Sequence, residues 1–174
     1  MPINLELKIK LENFIVVKQR LSNLNAKFVQ ELKQKDIYFK VSGYNLKLRI
    51  ENGLQSLIKY LRNEDGSERW SDYEIVKISE GDLEKLLSSV LEIEGVVEKK
   101  RLLYMFDNTR IHLDEVKYLG NFLELETLVI KDKKEAKKRF EALIKLLDLK
   151  IEKQFRKSYK ELMKEIETDD LNKK

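Results

Sequence analysis

Glu6, Lys8 and Lys10 stand two residues apart, and the same spacing recurs at Lys47, Arg49 and Glu51, at Lys99 and Arg101, at Arg110, His112 and Asp114, and at Glu124 and Glu126. A two-residue period puts such side chains on one face of a β-strand. One row of this kind is only a solvated strand surface. Several rows of long, oppositely charged side chains, backed mainly by Leu, Ile or Val, ask for another arrangement. If helices cover the apolar faces, the charged faces converge on a closed interior. Charges held there without ions or water carry a large desolvation cost, so a charged ligand is expected. Carboxylates by themselves suit a hard cation such as Mg2+ or Mn2+, and cations by themselves suit phosphate. The two together suit a polyphosphate bridged to metal.

The elements that must position these rows follow from periodicity. Residues 3–10 alternate strictly, with Ile3, Leu5, Leu7 and Ile9 on one face, which predicts a strand. Phe14, Val17, Leu21 and Leu24 recur at helical spacing within residues 12–25, and Asn25 suits a helix stop. Strands are predicted at 27–41, 44–51 and 54–62, joined by turns at Ser42-Gly43 and Asn52-Gly53. A polar turn at Asn63-Glu64-Asp65-Gly66 leads to a strand at 70–78. A helix is predicted from Ser79 to Leu91, with Asp82 and Glu84 near its N-terminal dipole. Strands at 95–107, 109–117 and 121–130 follow, separated by Asp107-Asn108 and Leu119-Gly120. Ala136, Phe140, Leu143, Ile144 and Leu147 mark an amphipathic helix over 134–147. A last helix is expected from Lys157 to Glu165. The order is that of an α+β fold built on a large antiparallel sheet.

A chain of 174 residues accommodates one well-buried domain, read here as 1–165 with a polar tail at 166–174. No apolar run approaches the roughly 18 residues of a membrane span, so no membrane partner is expected. The opening Met1-Pro2-Ile3-Asn4 lacks the features of a secretory signal, which points to the cytoplasm. The absence of cysteine excludes disulfides, zinc thiolates and thiol nucleophiles. Although 38% of residues are charged, 35 Lys and Arg against 31 Asp and Glu leave only +4, so placement matters more than the sum. The charged stretches 131–139 and 150–160 mix acids with bases and read as solvated helix faces, not as a nucleic-acid patch.

Taken in order along the chain, several segments resemble the CYTH superfamily of triphosphate tunnel metalloenzymes, which includes class IV adenylate cyclases and thiamine triphosphatases. They are Asn4-Leu5-Glu6-Leu7-Lys8, Lys35-Asp36-Ile37-Tyr38-Phe39, Leu46-Lys47-Leu48-Arg49 and Lys99-Lys100-Arg101. The most specific are Arg110-Ile111-His112-Leu113-Asp114 with Leu119-Gly120-Asn121-Phe122-Leu123-Glu124-Leu125-Glu126, and Ser158-Tyr159 looks like the family's closing pair. The resemblance implies an eight-stranded antiparallel closed β-barrel, or tunnel, with helices packed outside. It implies Glu6, Glu124 and Glu126 as carboxylates for Mg2+ or Mn2+, with Asp114 assisting. Lys8, Arg49, Lys99, Arg101 and Arg110 would hold phosphate oxygens, Lys8 and Arg49 serving in catalysis. Lys10 and Lys47 would join the lumen, and Arg62 is a candidate.

Asn4 departs from the pattern, standing where the family's first Glu is expected and offering a neutral, weaker ligand. The implied activity is that of a metal-dependent enzyme on a nucleoside or other triphosphate, most like a class IV adenylate cyclase forming cyclic AMP and pyrophosphate. The alternatives are an organic or inorganic triphosphatase and a non-catalytic polyphosphate-binding module. A homodimer is compatible with the sequence. His112 is read as a hydrogen-bonded structural histidine, and most of Tyr38, Tyr60, Tyr73, Tyr104 and Tyr159 as packing. Trp70 is read as a lid residue or an apolar cap.

Overall fold

The computed structural model describes residues 2–63 and 68–171, including all their side chains except those of residues 62, 63 and 169–171. The turn expected at Asn63 to Gly66 falls largely outside the described residues. In chain order the elements are β1 (Ile3–Leu11), α1 (Ile15–Asn23), β2 (Lys27–Phe39), β3 (Asn45–Glu51), β4 (Leu54–Asn63), β5 (Trp70–Ile78) and α2 (Leu83–Val90). They continue as β6 (Ile93–Phe106), β7 (Thr109–Val116), β8 (Gly120–Leu128), α3 (Lys133–Leu146), a 3-10 turn at Ile151–Lys153 and α4 (Tyr159–Leu171). The strands close into one barrel in the order β1-β5-β4-β3-β2-β6-β7-β8, with every neighbouring pair antiparallel. The α+β barrel with outer helices is thus the observed fold.

Turn chemistry sets the register of the hairpins. Asn52 and Gly53 have φ of 49° and 85°, and Asp107 and Asn108 have 43° and 55°. Positive φ at both central residues matches the right-handed twist of the flanking strands, and Asn, Asp and Gly tolerate it.

Helices cover the apolar outer faces. Leu5, Leu7 and Ile9 of β1, Ile111 and Leu113 of β7, and Leu123 and Leu125 of β8 pack against Val17 and Leu21 of α1 and Phe140, Leu143 and Ile144 of α3. Leu83, Leu87 and Leu91 lie on Ile37, Phe39 and Leu48. A third cluster lies at the inner wall, where Phe122, Val97 and Val116 meet Tyr159 and Leu162 of the α4 region. Among the described residues no helix is long and apolar enough to cross a membrane.

Three boundaries differ from expectation. α2 starts at Leu83, not Ser79, because Gly81 has φ +89° and Asp82 caps the helix by accepting from the Lys85 amide at 2.9 Å. α1 is shorter than residues 12–25, and Asn25 at φ 53° ends its last turn. α4 runs past Glu165 to Leu171. Helical hydrogen bonding needs no apolar stripe, so periodicity alone does not mark that end.

The barrel seam is short. β1 pairs with β5 only from Ile3 to Leu5. Beyond that the Glu6 amide donates to the Arg69 carbonyl at 2.9 Å, the Phe155 amide donates to the Lys8 carbonyl at 2.8 Å, and Ile9 bridges Gln154. The segment before α4 therefore completes the wall and carries Ser158 and Tyr159 into the lumen.

Candidate functional site

Inside the barrel lies a cavity of about 270 Å³. Its wall includes the cations Lys8, Lys47, Arg49, Lys99, Arg101 and Arg110 and the carboxylates Glu6, Glu124 and Glu126. Strand register brings them together. Glu6 of β1 faces Glu126 of β8, which faces Arg110 of β7, and one rung along Lys8 faces Glu124, which faces His112.

Two buried aspartates organise the cations from behind this wall. Asp36 accepts from Arg49 Nε and Nη2, each at 2.7 Å, from Lys47 Nζ at 3.0 Å and from Lys99 Nζ at 3.5 Å. Burial pushes the Asp36 carboxyl upward, but the charges of Arg49, Lys47 and Lys99 overcome that and hold it well below the usual carboxylate range. Asp114 accepts from Arg101 Nε and Nη2 at 2.6 Å each and from the Tyr159 hydroxyl at 2.9 Å. Both planar guanidinium groups are thereby fixed in forked pairs.

The carboxylates carry a second set of contacts. Glu124 Oε2 accepts from Arg101 Nη2 at 2.7 Å, and its Oε1 lies 3.1 Å from Lys8 Nζ. Burial pushes the Glu124 carboxyl upward in pKa, yet the neighbouring Lys8, Arg101 and Lys99 charges leave the group well below the usual range. Glu126 lies 3.0 Å from Arg110 Nη2. Opposed by burial, the charge available at His112 and those of Arg110 and Arg101 bring Glu126 to about 2. Burial, helped by Arg101, lowers His112 to about 4, so its imidazole is neutral at neutral pH. Burial also lowers Lys47 to about 7, with Asp36 opposing and Arg49 and Lys99 assisting. Lys99 is lowered by burial and then by Arg101.

The placement of the expected residues is uneven. Lys8, Lys47, Arg49, Lys99, Arg101 and Arg110 share the cavity wall with Glu6, Glu124 and Glu126. Asp114, expected to assist a metal, is fully buried with its oxygens committed to Arg101 and Tyr159. Lys10 has the right alternation but sits exposed at the barrel end, its Nζ 5.8 Å from the Phe122 ring. The Arg62 side chain lies outside the described residues; its backbone is opposite Ser71. Asn4 is buried on the cavity wall, and among the described residues its Oδ1 has no hydrogen-bond partner.

Three further residues were not marked as site residues by the sequence. Asp36 of β2 belongs to no row of alternating acids, and Arg69 lies outside any strand, 3.7 Å from Glu6. His112 faces the cavity, and among the described residues its Nδ1 has no hydrogen-bond partner, which differs from the hydrogen-bonded role expected of it. Its place between Arg110 and Asp114 in β7 was the available signal. Tyr38, Tyr60 and Tyr159 are buried as expected, but on the inner wall; Tyr104 packs outside against Phe28, centroids 5.2 Å apart. Trp70 lies in β5 against the outer core and donates Nε1 to Glu68 at 2.9 Å.

A divalent cation fits this donor set. Single ligand atoms of His112, Glu124 and Glu126 lie within 4.8 Å of one another, and the buried His112 Nδ1 is without a hydrogen-bond partner.

Known proteins share this architecture. A Methanocaldococcus jannaschii protein that carries a provisional adenylate cyclase name is 27% identical over 171 residues, covering 92% of this chain and 98% of its own. A solved structure from Pyrococcus horikoshii matches with a TM-score of 0.82 at 26% identity, over 91% of this chain and 98% of that one. An adenylyl cyclase structure from Hippeastrum, described as having a dominant triphosphatase activity, shares the fold at 12% identity with a TM-score of 0.64, over 91% and 93% of the two chains. The CYTH domain matches residues 2–159, from the first strand of the barrel to the Ser158-Tyr159 pair that reaches its lumen, and the chain belongs to that family.

Proposed function

We propose that the lumen binds a triphosphate together with Mg2+ or Mn2+, and that the protein is an enzyme acting on that triphosphate, most like a class IV adenylate cyclase. The observation that carries this reading is the single cavity wall on which seven cations and four carboxylates meet. Glu124, Glu126 and His112 would hold the cation, with Glu6 on the same wall. When bound, a divalent cation neutralises phosphate charge and makes the departing oxygen a better leaving group.

The chain's own part is positioning and charge. Arg49 and Arg101, fixed by Asp36 and Asp114, present forked donors to phosphate oxygens, and Lys8 and Lys99 add point charges from buried positions. Donors held in place before substrate arrives cost no reorganisation as charge develops on the leaving group. In a cyclase these groups stabilise the leaving pyrophosphate while the ribose 3′-hydroxyl attacks the α-phosphorus. Lys8 and Arg101, now paired with Glu124, would turn toward phosphate as the carboxylate takes up the metal.

One observation favours a second reading, hydrolysis of an organic or inorganic triphosphate. A cavity of about 270 Å³ is just below the roughly 300–1,000 Å³ of ordinary ligand pockets, which suits a bare phosphate chain better than a whole nucleotide. Incubation of the purified protein with Mg2+ or Mn2+ and ATP, thiamine triphosphate or tripolyphosphate separates the two. Cyclic AMP with pyrophosphate supports the cyclase, and orthophosphate supports the hydrolase. Calorimetric binding without turnover under either metal leaves a polyphosphate-binding module, the outcome that Asn4 would then explain. Glu124→Gln and Glu126→Gln should each remove most activity while leaving the fold intact by circular dichroism; full activity in both sinks the metal assignment.

A further inference from the structure

We infer that His112 is a direct nitrogen ligand of the lumen metal and makes the site selective for a first-row transition ion, Mn2+, over Mg2+. This rests on the metal-dependent reading above and deepens it, by assigning which ion a nitrogen donor beside the carboxylates selects.

The geometry comes from strand register. His112 on β7 is directly opposite Glu124 on β8, and the diagonal brings its Nδ1 to 3.7 Å from Glu126 Oε1. That separation is too long for a hydrogen bond. Nδ1 is buried, and among the described residues it makes no hydrogen bond. A buried ring nitrogen in that state bears its desolvation cost uncompensated, whereas buried polar atoms almost always find a partner. The neighbours available to it explain the exception. Glu126 Oε1 stands beside it, and one ring nitrogen of His112 forms with single oxygens of Glu124 and Glu126 a three-donor group within 4.8 Å. Such a group is satisfied by a cation shared among all three donors.

Arg101 holds Glu124 on one side and Arg110 holds Glu126 on the other. Those contacts orient the carboxylates without reaching Nδ1.

The donor set then decides which ion. Mg2+ takes oxygen ligands in near-ideal octahedral geometry and keeps several waters, so one or two carboxylates serve it and an imidazole adds little. Imidazole with two carboxylates suits a transition ion that accepts mixed nitrogen and oxygen donors. Removing the nitrogen should therefore cost Mn2+ affinity and leave Mg2+ affinity nearly unchanged.

The test uses the purified full chain and Mn2+ alone. Pulsed electron paramagnetic resonance of the Mn2+-loaded protein should show coupling to an imidazole 14N, a readout that needs no variant and no turnover. His112→Gln, which offers an oxygen in place of nitrogen, should abolish that coupling and lower the Mn2+ to Mg2+ affinity ratio by roughly tenfold or more in calorimetry. Bound Mn2+ without nitrogen coupling overturns the inference, as does the absence of Mn2+ binding at millimolar concentration. Failure of the wider reading looks different. Nitrogen coupling with no affinity for tripolyphosphate would retain the His112 ligand and refute the triphosphate substrate. Triphosphate turnover without nitrogen coupling would do the reverse.

Discussion

Asp36 has no exposed surface, yet three cations of the lumen wall depend on it. Asp36→Asn would leave Arg49, Lys47 and Lys99 buried without their counter-charge, and breaking a buried ion pair from one side costs about 3–5 kcal/mol. Urea denaturation should show that loss, and tripolyphosphate should recover part of it by supplying negative charge to the same cations. An unchanged urea midpoint would remove Asp36 from this role. Lys47 gives the pH counterpart. Its value falls from 10.5 to about 7, so between those limits the unfolded chain keeps a proton that the folded chain has lost. Stability from this group therefore rises with pH across that window, and its cost is fully present below pH 7. An incoming phosphate reverses the shift. Titration with tripolyphosphate at pH 8, in buffers of different ionisation enthalpy, should show more proton uptake by the unaltered protein than by Lys47→Arg. Equal uptake in the two would count against Lys47 as the titrating contact. Alternation identifies which side chains point inward, but not how far along the barrel axis they lie. Lys10 has the parity of Glu6 and Lys8 and still falls beyond the cavity, where Phe122 and Tyr159 fill the barrel end. Asp36 and Arg69 had no row of like residues to announce them, since one alternates with Gln34 and Tyr38 in β2 and the other lies outside any strand.

Strands and hairpins were legible because their signals are local. A two-residue period, Asn-Gly or Asp-Asn at positive φ, and helical stripes at α1 and α3 each arise within a short stretch. Barrel closure is not local: only three residue pairs join β1 to β5, and the segment at Gln154 and Phe155 fills in where they stop. No pattern in residues 150–158 reveals that role, because its hydrogen bonds are made by backbone. Ser158 and Glu161 do form a recognisable cap: the Glu161 carboxylate accepts from the Ser158 amide at 2.6 Å, and the Glu161 amide donates to Ser158 Oγ at 3.2 Å. The cap places Tyr159 against Asp114, and through it steadies Arg101. Ser158→Ala should cost about 1 kcal/mol in urea denaturation. It should also weaken tripolyphosphate binding, because the helix start that holds Tyr159 would fray. A stability loss with unchanged binding would confine the cap to a structural part.

At the scale of the whole molecule the barrel inverts the usual arrangement, with apolar residues outside under helices and charges inside. Such an interior is stable only while each charge has a partner. Glu124 pairs with Lys8 and Arg101, Glu126 with Arg110, and Asp36 with three cations, so the ligand-free barrel is held by its own internal salt. A triphosphate that enters must replace those contacts with better ones, and what it gains appears as stability of the whole fold. At a concentration 100 times its Kd, a ligand that binds only the folded chain adds about 2.7 kcal/mol. For a chain of this size that corresponds to a rise in Tm of about 5–10 °C. Thermal melts with tripolyphosphate should show such a rise, and orthophosphate, which spans fewer of the lumen cations, should give a smaller one. Screening separates this from a surface effect. Added salt weakens exposed pairs far more than buried ones, so at a fixed tripolyphosphate concentration much of the rise should persist at high ionic strength. A stabilisation that vanishes altogether with salt would place the anion on the outer lysines instead of in the lumen.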